Sequence, residues 1–435
     1  MNICMIGTGY VGLVAGACLS DFGMNVICID KEHEKIERLK KGDVPIYELG
    51  LRELIDRGVK LKRLHFSTDL KEAVDRCLVV FLAVGTPENP DGSADLSAIR
   101  EVALQVARYM TEYKIIAIKS TVPVGTAREL RQLIEENLST KVDFDVVSNP
   151  EFLRQGAAVE DFMRPNRVIL GADSDRALAI MRDIYRPLYL LETPIVSTTN
   201  ETAEVIKYAA NTMLALKISY INEIANLCEA AGADVYRVAS ALGMDKRIGS
   251  KFLHPGPGFG GSCFPKDVKS LVHIADKLGY DFKLAKAIVD VNARQKELVV
   301  QKCRKMLRDL AGRKICLLGL SFKPNTDDTR EAPAIYVAKR LLDEGAEINA
   351  YDPAAMEQAR RELPDINCFG DAYSACEGSD AVVIMTEWNE FRDLEFSRIK
   401  SLVRTPNVYD TRNIYDGRAI QKLGFNYFCT GRVFN

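Results

Sequence analysis

A glycine-rich turn near the N-terminus has the residue types and spacing of a pyrophosphate-binding site. Gly7, Gly9 and Gly12 form a GxGxxG motif that follows one apolar run and opens a helix-like stretch. Such glycines permit a tight turn and let backbone N–H groups approach a pyrophosphate at a helix N-terminus. Asp30 ends the next apolar run, where a carboxylate can bind both ribose hydroxyls and repel a 2′-phosphate. The pattern predicts binding of NAD in preference to NADP; a glycine turn without a ligand is the alternative.

A second glycine-rich segment, residues 256–267, contains Cys263. Pro265 suits the first turn of a helix, so we expect Cys263 at a helix N-terminus beside Lys266, and both influences favour a thiolate. Asp267 lies four residues on and therefore on the same helical face as the cysteine. These residues alone leave two interpretations equally open, a reactive thiol and a buried structural cysteine.

Isolated polar residues in apolar surroundings provide further candidates. Lys207 and Asn211 are four residues apart in an apolar helical stretch. The lysine is either a surface residue or a buried cation that stabilises an alkoxide or oxyanion. Glu151 follows a strand-like run, at the position where open α/β sheets bind ligands, and is a candidate base or an ordinary surface carboxylate. Other positively charged side chains could bind a pyrophosphate or the cofactor, or could be solvated surface charges; they are Lys246, Arg247, Lys323, Arg330 and Arg412.

Two α/β segments and a helical segment must position these residues. Residues 1–197 and 298–435 alternate apolar runs with helical stretches, whereas residues 198–297 are mainly helical and include about thirty residues without proline or internal glycine. The predicted fold is therefore α/β, with two Rossmann-like doubly wound domains joined by a central helical domain that contains one long helix. The outer segments echo each other, each with a second strand that ends in aspartate (Asp30, Asp352), which suggests a nucleotide-like ligand for both.

Composition excludes several classes of protein. The 435 residues suffice for two or three domains, and the net charge of −2 favours neither nucleic acid nor a membrane surface as a partner. The eleven cysteines include no CxxC pair and no tight His/Cys cluster, so we expect no metal and a reducing compartment, the cytoplasm. The apolar N-terminus lacks a basic region and predicts a first strand, and no apolar stretch approaches transmembrane length.

Many sequence blocks resemble those of the UDP-glucose/GDP-mannose dehydrogenase family in the same order. The blocks are GTGYVGLV, VGTP, STVPVGT, SNPEFL, KYAANT, NEIANLC, GFGGSCFPKD, GLSFKPNTDDTREAP and YDP. The resemblance implies an NAD-dependent four-electron oxidation of a sugar nucleotide. In it, a cysteine thiolate captures the C6 aldehyde as a thiohemiacetal, which is oxidised to a thioester and hydrolysed. It also implies that the outer domains bind NAD and the sugar nucleotide, and that the long helix organises a homodimer.

The same resemblance assigns site residues. The implied catalytic residues are Cys263 as nucleophile, Lys207 and Asp267 on the oxyanion, Thr121 and Glu151 on water and protons, and Asn211 as an orienting group. The implied NAD-binding residues are Gly7, Gly9, Tyr10, Val11, Gly12, Asp30, Lys35, Thr86, Thr121, Lys266 and Arg330. The implied sugar-nucleotide residues are Glu151, Phe152, Leu153, Arg154, Lys207, Asn211, Arg247, Phe259, Gly260, Phe322, Lys323 and Arg412. Arg247 is expected to reach the neighbouring subunit.

The implied substrate is UDP-glucose. The run GGSCFPKD differs from the GGHCIPVDP-like form of the N-acetylhexosamine branch, and MDKRIGSKFL resembles the UDP-glucose branch more than the GDP-mannose branch. GDP-mannose or a UDP-N-acetylhexosamine is the alternative.

Two other functions are compatible with parts of the chain. A two-electron dehydrogenase of a 3-hydroxy acid would not need Cys263, and a non-catalytic nucleotide sensor would tolerate its replacement by alanine.

Overall fold

The computed structural model describes residues 1–434, which form two compact units. One unit comprises Met1–Ala210 with His273–Gly279, and the other comprises Asn211–Val272 with the chain from Tyr280 onward. The three predicted domains, with boundaries at 197/198 and 297/298, stay a prediction.

The first unit contains an eight-stranded sheet in the order β3-β2-β1-β4-β5-β6-β7-β8. Its strands are β1 (Asn2–Ile6), β2 (Asn25–Ile29), β3 (Leu64–Ser67), β4 (Val79–Leu82), β5 (Lys114–Ile118), β6 (Phe144–Ser148), β7 (Val168–Gly171) and β8 (Ile195–Thr198). All neighbouring strands are parallel except β6 and β7. The order reverses between β1 and β4, which is where doubly wound sheets open a crevice for a ligand.

Helices cover both faces of this sheet. They are α1 (Tyr10–Asp21), α2 (His33–Lys40), α3 (Leu51–Lys60), α4 (Leu70–Arg76), α5 (Ser97–Tyr109), α6 (Thr126–Glu136), α7 (Ala158–Met163) and α8 (Asp175–Ile184). Alternate side chains of β1 enter different cores, Ile3 and Met5 one and Cys4 and Ile6 the other. This double burial explains the continuous apolar strand sequences, and each fully buried aliphatic side chain contributes roughly 1.5–3 kcal/mol.

The predicted long helix is α9 (Asn200–Ala231), whose 32 residues contribute to both units. Its sequence lacks proline and glycine and is rich in good helix formers, so nothing interrupts it. The side chain of Asn200 fixes its start, because Oδ1 accepts from the Ser148 N–H at 2.8 Å and Nδ2 donates to the Val146 carbonyl at 3.2 Å. The end of β6 and the start of α9 are thereby held together.

The second unit contains further helices and a six-stranded parallel sheet in the order β11-β10-β9-β12-β13-β14. The helices that precede the sheet are α10 (Val235–Met244), α11 (Phe264–Lys277), which also contributes to the first unit, and α12 (Lys283–Leu307). The strands are β9 (Lys314–Leu318), β10 (Glu347–Tyr351), β11 (Asn367–Cys368), β12 (Ala381–Ile384), β13 (Asn407–Asp410) and β14 (Asn426–Cys429). The remaining helices are α13 (Pro333–Asp343), α14 (Met356–Glu362), α15 (Ala372–Cys376), α16 (Asn389–Arg392), α17 (Phe396–Leu402) and α18 (Gly417–Lys422).

This architecture confirms the predicted fold class, with two doubly wound α/β sheets and a long central helix. The continuous apolar runs in the sequence correspond to the central strands β1, β2, β4, β5 and β6 of the first sheet and β9, β10, β12 and β13 of the second, whereas the peripheral strands β3, β7, β8, β11 and β14 were not predicted. Within residues 1–434, no helix is both long enough and apolar enough to cross a bilayer.

Candidate active site

The glycine turn joins β1 to α1 and has two differently constrained parts. Gly7 has φ +100°, and a Cβ on Gly12 would lie 1.9 Å from the Gly7 carbonyl oxygen, so packing of helix against strand requires both glycines. By contrast, a Cβ on Gly9 would meet no atom within 4 Å. Gly9 is the N-cap of α1 and supplies no side-chain cap, so space is open beside the first N–H groups of the helix. That arrangement suits an incoming phosphate.

Asp30 lies just beyond β2 and is already oriented. Its Oδ2 accepts from the Thr8 N–H at 2.9 Å, the Thr8 hydroxyl at 2.7 Å and the Lys35 ammonium at 3.1 Å. Burial alone would raise the pKa of Asp30, but hydrogen bonds from Thr8, Glu32 and Lys35 outweigh it and lower the pKa to about 2. The carboxylate is therefore fixed as an anion, and Lys35 lies against it.

Glu151 and Lys207 form a buried ion pair in the first unit. The Lys207 Nζ lies 2.9 Å from Glu151 Oε1 and 2.7 Å from the Glu151 carbonyl oxygen, and the side chains are only 4% and 7% exposed. The ring of Phe152 has its centroid 5.2 Å from the same ammonium. The structure thus rules out both the surface lysine and the surface carboxylate left open by the sequence.

Lys119 is a third buried charge that interacts electrostatically with this pair. Its ammonium donates to the carbonyl and side-chain oxygens of Asn149 at 3.4 and 3.2 Å, and it is 3% exposed. Burial lowers the pKa of Lys119 to about 8, an effect that Glu151 opposes and Lys207 reinforces. Sequence reasoning missed this residue; its position at the end of an apolar strand was the available signal.

Other predicted residues of the first unit lie near the same strand ends. Thr86 donates its hydroxyl hydrogen bond to the Thr121 carbonyl at 2.8 Å, and Thr121 and Lys207 line one small cavity. Tyr10 contacts Glu48, and both accept from the Gly156 N–H, so Tyr10 touches the loop that follows Glu151. The neighbouring predicted positions are Val11 in α1, Leu153 with its N–H on the Glu151 carboxylate, and Arg154 paired with Asp161.

In the second unit, Cys263 lies immediately before α11, as the sequence predicts. The Asp267 N–H donates to the Cys263 carbonyl at 2.8 Å, which makes the cysteine the residue that begins the helix. Its side chain is partly exposed, and the Ser262 hydroxyl lies 3.7 Å from Sγ. The partial positive charge of the helix N-terminus favours a thiolate here.

Asp267 is 1% exposed and has two polar neighbours. Asn211 Nδ2 donates to its Oδ2 at 2.6 Å, and the Lys266 ammonium lies 2.7 Å from its Oδ1. Lys207 and Asn211, expected as one polar patch, therefore have different partners. Lys266, expected beside the thiol and the cofactor, pairs with Asp267.

Buried amides hold the glycine loop before Cys263. Asn222 accepts from the Gly256 N–H and Gln295 donates to the Gly256 carbonyl, each at 2.8 Å. Asn292 accepts from the Phe259 N–H at 2.8 Å and donates to its carbonyl at 3.0 Å. These three amides were missed from the sequence, although amides on apolar helix faces were a usable signal.

The same loop is also closed against the chain around residue 330. The Gly261 N–H donates to the Arg330 carbonyl at 2.9 Å, and a Cβ on Gly260 would lie 2.3 Å from the Glu331 carbonyl oxygen. A Cβ on Gly261 would lie 2.8 Å from the ring of Phe322. Only glycine fits at these two positions, so the loop geometry is fixed before any ligand binds.

The predicted cations have dissimilar surroundings. Arg412 is 15% exposed, donates to the Met385 carbonyl at 2.9 Å, and approaches Gly256. Arg330 forms a two-bond pair with Asp328, and the Lys323 ammonium lies 5.7 Å from the Phe322 ring centroid. Arg247 is 89% exposed and pairs with Asp245, and Lys246 precedes it on the same exposed loop.

The chain matches three sequence models of one family in succession. They are described as the UDP-glucose/GDP-mannose dehydrogenase family NAD binding domain (residues 1–189), central domain (residues 201–294) and UDP binding domain (residues 316–417). The chain is 50% identical to UDP-glucose 6-dehydrogenase of Rhizobium meliloti, over 99% of this chain and 100% of that protein. It is 43% identical to UDP-glucose 6-dehydrogenase TuaD of Bacillus subtilis, over 99% and 93%.

Solved structures give the same family. A UDP-glucose dehydrogenase from Pyrobaculum islandicum has a TM-score of 0.91 and 38% identity, with 96% of this chain and 95% of that chain covered. A UDP-D-ManNAc dehydrogenase from Pyrococcus horikoshii has a TM-score of 0.88 and 28% identity, with 99% of both chains covered.

Proposed function

Because the chain belongs to the UDP-glucose/GDP-mannose dehydrogenase family, we propose that it oxidises the C6 alcohol of UDP-glucose to the carboxylate of UDP-glucuronate. The observation that carries the chemistry is the position of Cys263, which ends a preformed glycine loop and begins α11. The resemblance predicted from the sequence blocks is confirmed. The higher identity to UDP-glucose 6-dehydrogenases than to the ManNAc enzyme favours UDP-glucose.

NAD fits the first α/β unit. The open space at Gly9, the uncapped start of α1 and the anionic Asp30 match a pyrophosphate and a ribose without a 2′-phosphate. We assign NAD to the residues of this unit that the family resemblance implies, which are Gly7, Gly9, Tyr10, Val11, Gly12, Asp30, Lys35, Thr86 and Thr121; the roles of Lys266 and Arg330, which belong to the other unit, stay predictions. When bound, NAD accepts a hydride in each of the two oxidations.

Cys263 acts as the nucleophile between the two oxidations. Its thiolate adds to the C6 aldehyde to form a thiohemiacetal, and oxidation of this adduct leaves a thioester on the sulfur. Water then attacks the thioester carbon, and the thiolate departs as the carboxylate forms. The helix N-terminus that favours the thiolate for attack also stabilises it as the leaving group.

Buried charges serve the oxyanion and the protons. Lys207 supplies a fixed cation for the alkoxide, since a preorganised charge in a dry site needs no reorganisation during reaction. Glu151 orients that lysine and exchanges protons with it, and Thr121 positions water. Asp267 and Asn211 form a hydrogen-bonded pair that assists proton transfer in the second unit.

The second α/β unit binds the nucleotide part of the substrate. We assign the sugar nucleotide to the residues of this unit that the family resemblance implies, which are Asn211, Arg247, Phe259, Gly260, Phe322, Lys323 and Arg412; the implied contacts of Glu151, Phe152, Leu153, Arg154 and Lys207, which belong to the first unit, stay predictions. Lys323 and Arg412 contribute positive charge that suits a pyrophosphate.

We further propose a homodimer formed through α9. Met213, Tyr220 and Leu227 lie seven residues apart on this helix and are 55%, 49% and 62% exposed. Side chains at that spacing form one stripe along a helix, and an exposed apolar stripe favours a second copy of the same helix. Arg247, itself highly exposed, is then available to a neighbouring subunit.

None of the eleven cysteines, all within the described chain, forms a disulfide, which supports the proposed cytoplasmic location.

Stoichiometry and a matched cysteine variant test this function. Purified protein should release two NADH for each UDP-glucose consumed, and turnover with GDP-mannose or UDP-N-acetylglucosamine should be far lower. Cys263→Ala should bind NADH and UDP-glucose normally and lose turnover by several orders of magnitude, whereas Cys429→Ala, a buried thiol in β14, should retain it. One NADH per sugar, or full turnover by Cys263→Ala, contradicts the proposal.

A further inference from the structure

Glu204 is a buried carboxylate that the proposed reaction does not use. It lies on α9, three residues before Lys207, and is 3% exposed. Its two oxygens accept from the Gly125 N–H at 2.6 Å and the Ala127 N–H at 2.8 Å. Gly125 is the N-cap of α6 and has no side chain, so a carboxylate from a different helix caps α6.

Thr121 lies in the loop of residues 119–125, which leads from β5 to the capped start of α6 and is called the Thr121 segment below. One end of this segment is fixed to the sheet, because the Ser120 hydroxyl donates to the Val84 carbonyl at 2.6 Å. The other end is fixed to α9 through Glu204. Glu204, Thr121 and Lys207 line the same small cavity, in which the pyrrolidine of Pro150 also lies. Glu204 therefore borders the same space as Thr121 and Lys207.

We propose that Glu204 is a positioning residue, which holds the Thr121 segment against α9 and so fixes Thr121 relative to Lys207. The inference rests on the proposed function, because that function gives Thr121 and Lys207 their roles. Glu204 itself touches neither substrate nor cofactor. It acts through the two backbone N–H groups that it binds.

The ionisation of Glu204 gives this role a measurable pH dependence. Burial raises the pKa of Glu204 to about 7, against the lowering effect of its two backbone hydrogen bonds; Glu201 raises it and Arg128 lowers it. Lys207 faces the same cavity from α9. Above this pKa both oxygens accept as a carboxylate, whereas protonation turns one oxygen into a hydroxyl group, which is a much weaker acceptor for an N–H. The segment is thus held less firmly as the pH falls through neutrality.

The experiment compares wild type with Glu204→Gln, an isosteric variant that keeps one acceptor at every pH. The control is Glu129→Gln, since Glu129 lies on α6, pairs with Arg100 at the surface, and does not shift the pKa of Glu204. kcat and KM for UDP-glucose are measured from about pH 6 to about pH 9, with thermal unfolding to verify folding. We expect the ratio of wild-type to Glu204→Gln kcat to rise by about tenfold as the pH passes through neutrality, with little change in KM. The ratio of wild-type to Glu129→Gln kcat should stay near one.

A pH-independent ratio, or an unchanged kcat in Glu204→Gln, overturns the proposal. If Glu204→Gln does not fold, Glu204→Asp replaces it, because aspartate still ionises but has a shorter side chain. We then expect a lower kcat than wild type, with the inflection of the kcat–pH profile retained. A wild-type kcat in Glu204→Asp overturns the proposal. If wild type fails to oxidise any sugar nucleotide, the proposed function fails. The positioning role is then tested by NADH affinity, whose wild-type to variant ratio should depend on pH in the same direction.

Discussion

Replacement of Lys207 by methionine tests whether one buried ion pair supports both folding and catalysis. Methionine keeps most of the length of the side chain and removes its charge. In the wild type, Lys207 Nζ lies 2.9 Å from the carboxylate of Glu151 and 2.7 Å from its carbonyl oxygen, with both side chains nearly inaccessible to water. The variant therefore leaves the Glu151 carboxylate buried without this partner.

Its effect on stability follows from that burial. Removal of one partner from a buried pair costs about 3–5 kcal/mol, because the remaining charge stays desolvated. For a unit of this size, that cost corresponds to a decrease in unfolding temperature on the order of 10 °C. The double variant Lys207→Met/Glu151→Gln removes both charges and should recover much of the loss. Lys40→Met is the control, since Lys40 pairs with Glu37 at 2.9 Å but both side chains are over 40% exposed, and such pairs contribute at most about 1 kcal/mol.

The effect on turnover is measured separately, by NADH release under saturating UDP-glucose. Loss of one preorganised group on an oxyanion lowers kcat by about a hundredfold to a thousandfold, equivalent to about 2.7–4 kcal/mol. The double variant should regain stability without regaining turnover, because the cation is still missing. A Lys207→Met protein that unfolds at the same temperature as wild type would contradict the stabilising role of the pair. A folded Lys207→Met protein with the wild-type kcat would contradict the catalytic role of the cation.

Three further predictions concern the two ends of the glycine turn, the carboxylate of Asp30 and the proposed dimer. Gly12→Ala should fail to fold, because its Cβ would lie 1.9 Å from the Gly7 carbonyl oxygen. Gly9→Ala should fold normally and weaken NADH binding. Circular dichroism measures folding of the two variants, and NADH fluorescence measures binding. Asp30→Asn should weaken NADH binding by roughly tenfold to a hundredfold and reduce the ratio of NADH affinity to NADPH affinity. Because the pKa of Asp30 is about 2, this ratio in the wild type should not change between about pH 5 and about pH 9. Equal wild-type affinities for the two cofactors would contradict that role. Tyr220→Lys should yield monomers in analytical ultracentrifugation. Leu190→Lys, the same kind of change at a 92% exposed position outside α9, should not; a dimeric Tyr220→Lys protein places the interface elsewhere.

The features predictable from the sequence were those determined locally. The glycine turn, the strand that ends before Asp30 and the uninterrupted α9 each depend on residues within about thirty positions, and their periodicity or spacing is visible in the chain. Cys263 at the start of α11 was predictable for the same reason, since Pro265 and the preceding glycines indicate the helix start. The peripheral strands β3, β8, β11 and β14 were missed because they are short and only partly buried, so their sequences lack the continuous apolar run that marks the central strands.

The partners of the catalytic candidates could not be predicted, because tertiary packing chooses them. Lys207 and Asn211 are adjacent on one helix face, yet their partners Glu151 and Asp267 are each 56 residues away, in opposite directions along the chain. Spacing showed that both side chains share a face, but gave no information on what packs against it. Glu204 escaped notice for the same reason, since nothing local marks it as the cap of α6.

The internal echo between the two α/β segments shows how one local signal can serve two purposes. Asp30 and Asp352 both follow the second strand, and the sequence suggested a ligand for each. Asp352 is fully buried; its Oδ2 accepts from the Leu320 and Ser321 N–H groups and from the Trp388 indole, and its Oδ1 accepts from the Ala354 and Ala355 N–H groups. Because its lone pairs are used to fix the loop that leads to Phe322 and Lys323, it has no capacity left for a ribose. We therefore expect Asp352 to act on the proposed nucleotide site only through that loop, so substitution of Asp352 should weaken sugar-nucleotide binding through loop disorder, whereas substitution of Asp30 should weaken NADH binding by direct loss of contact.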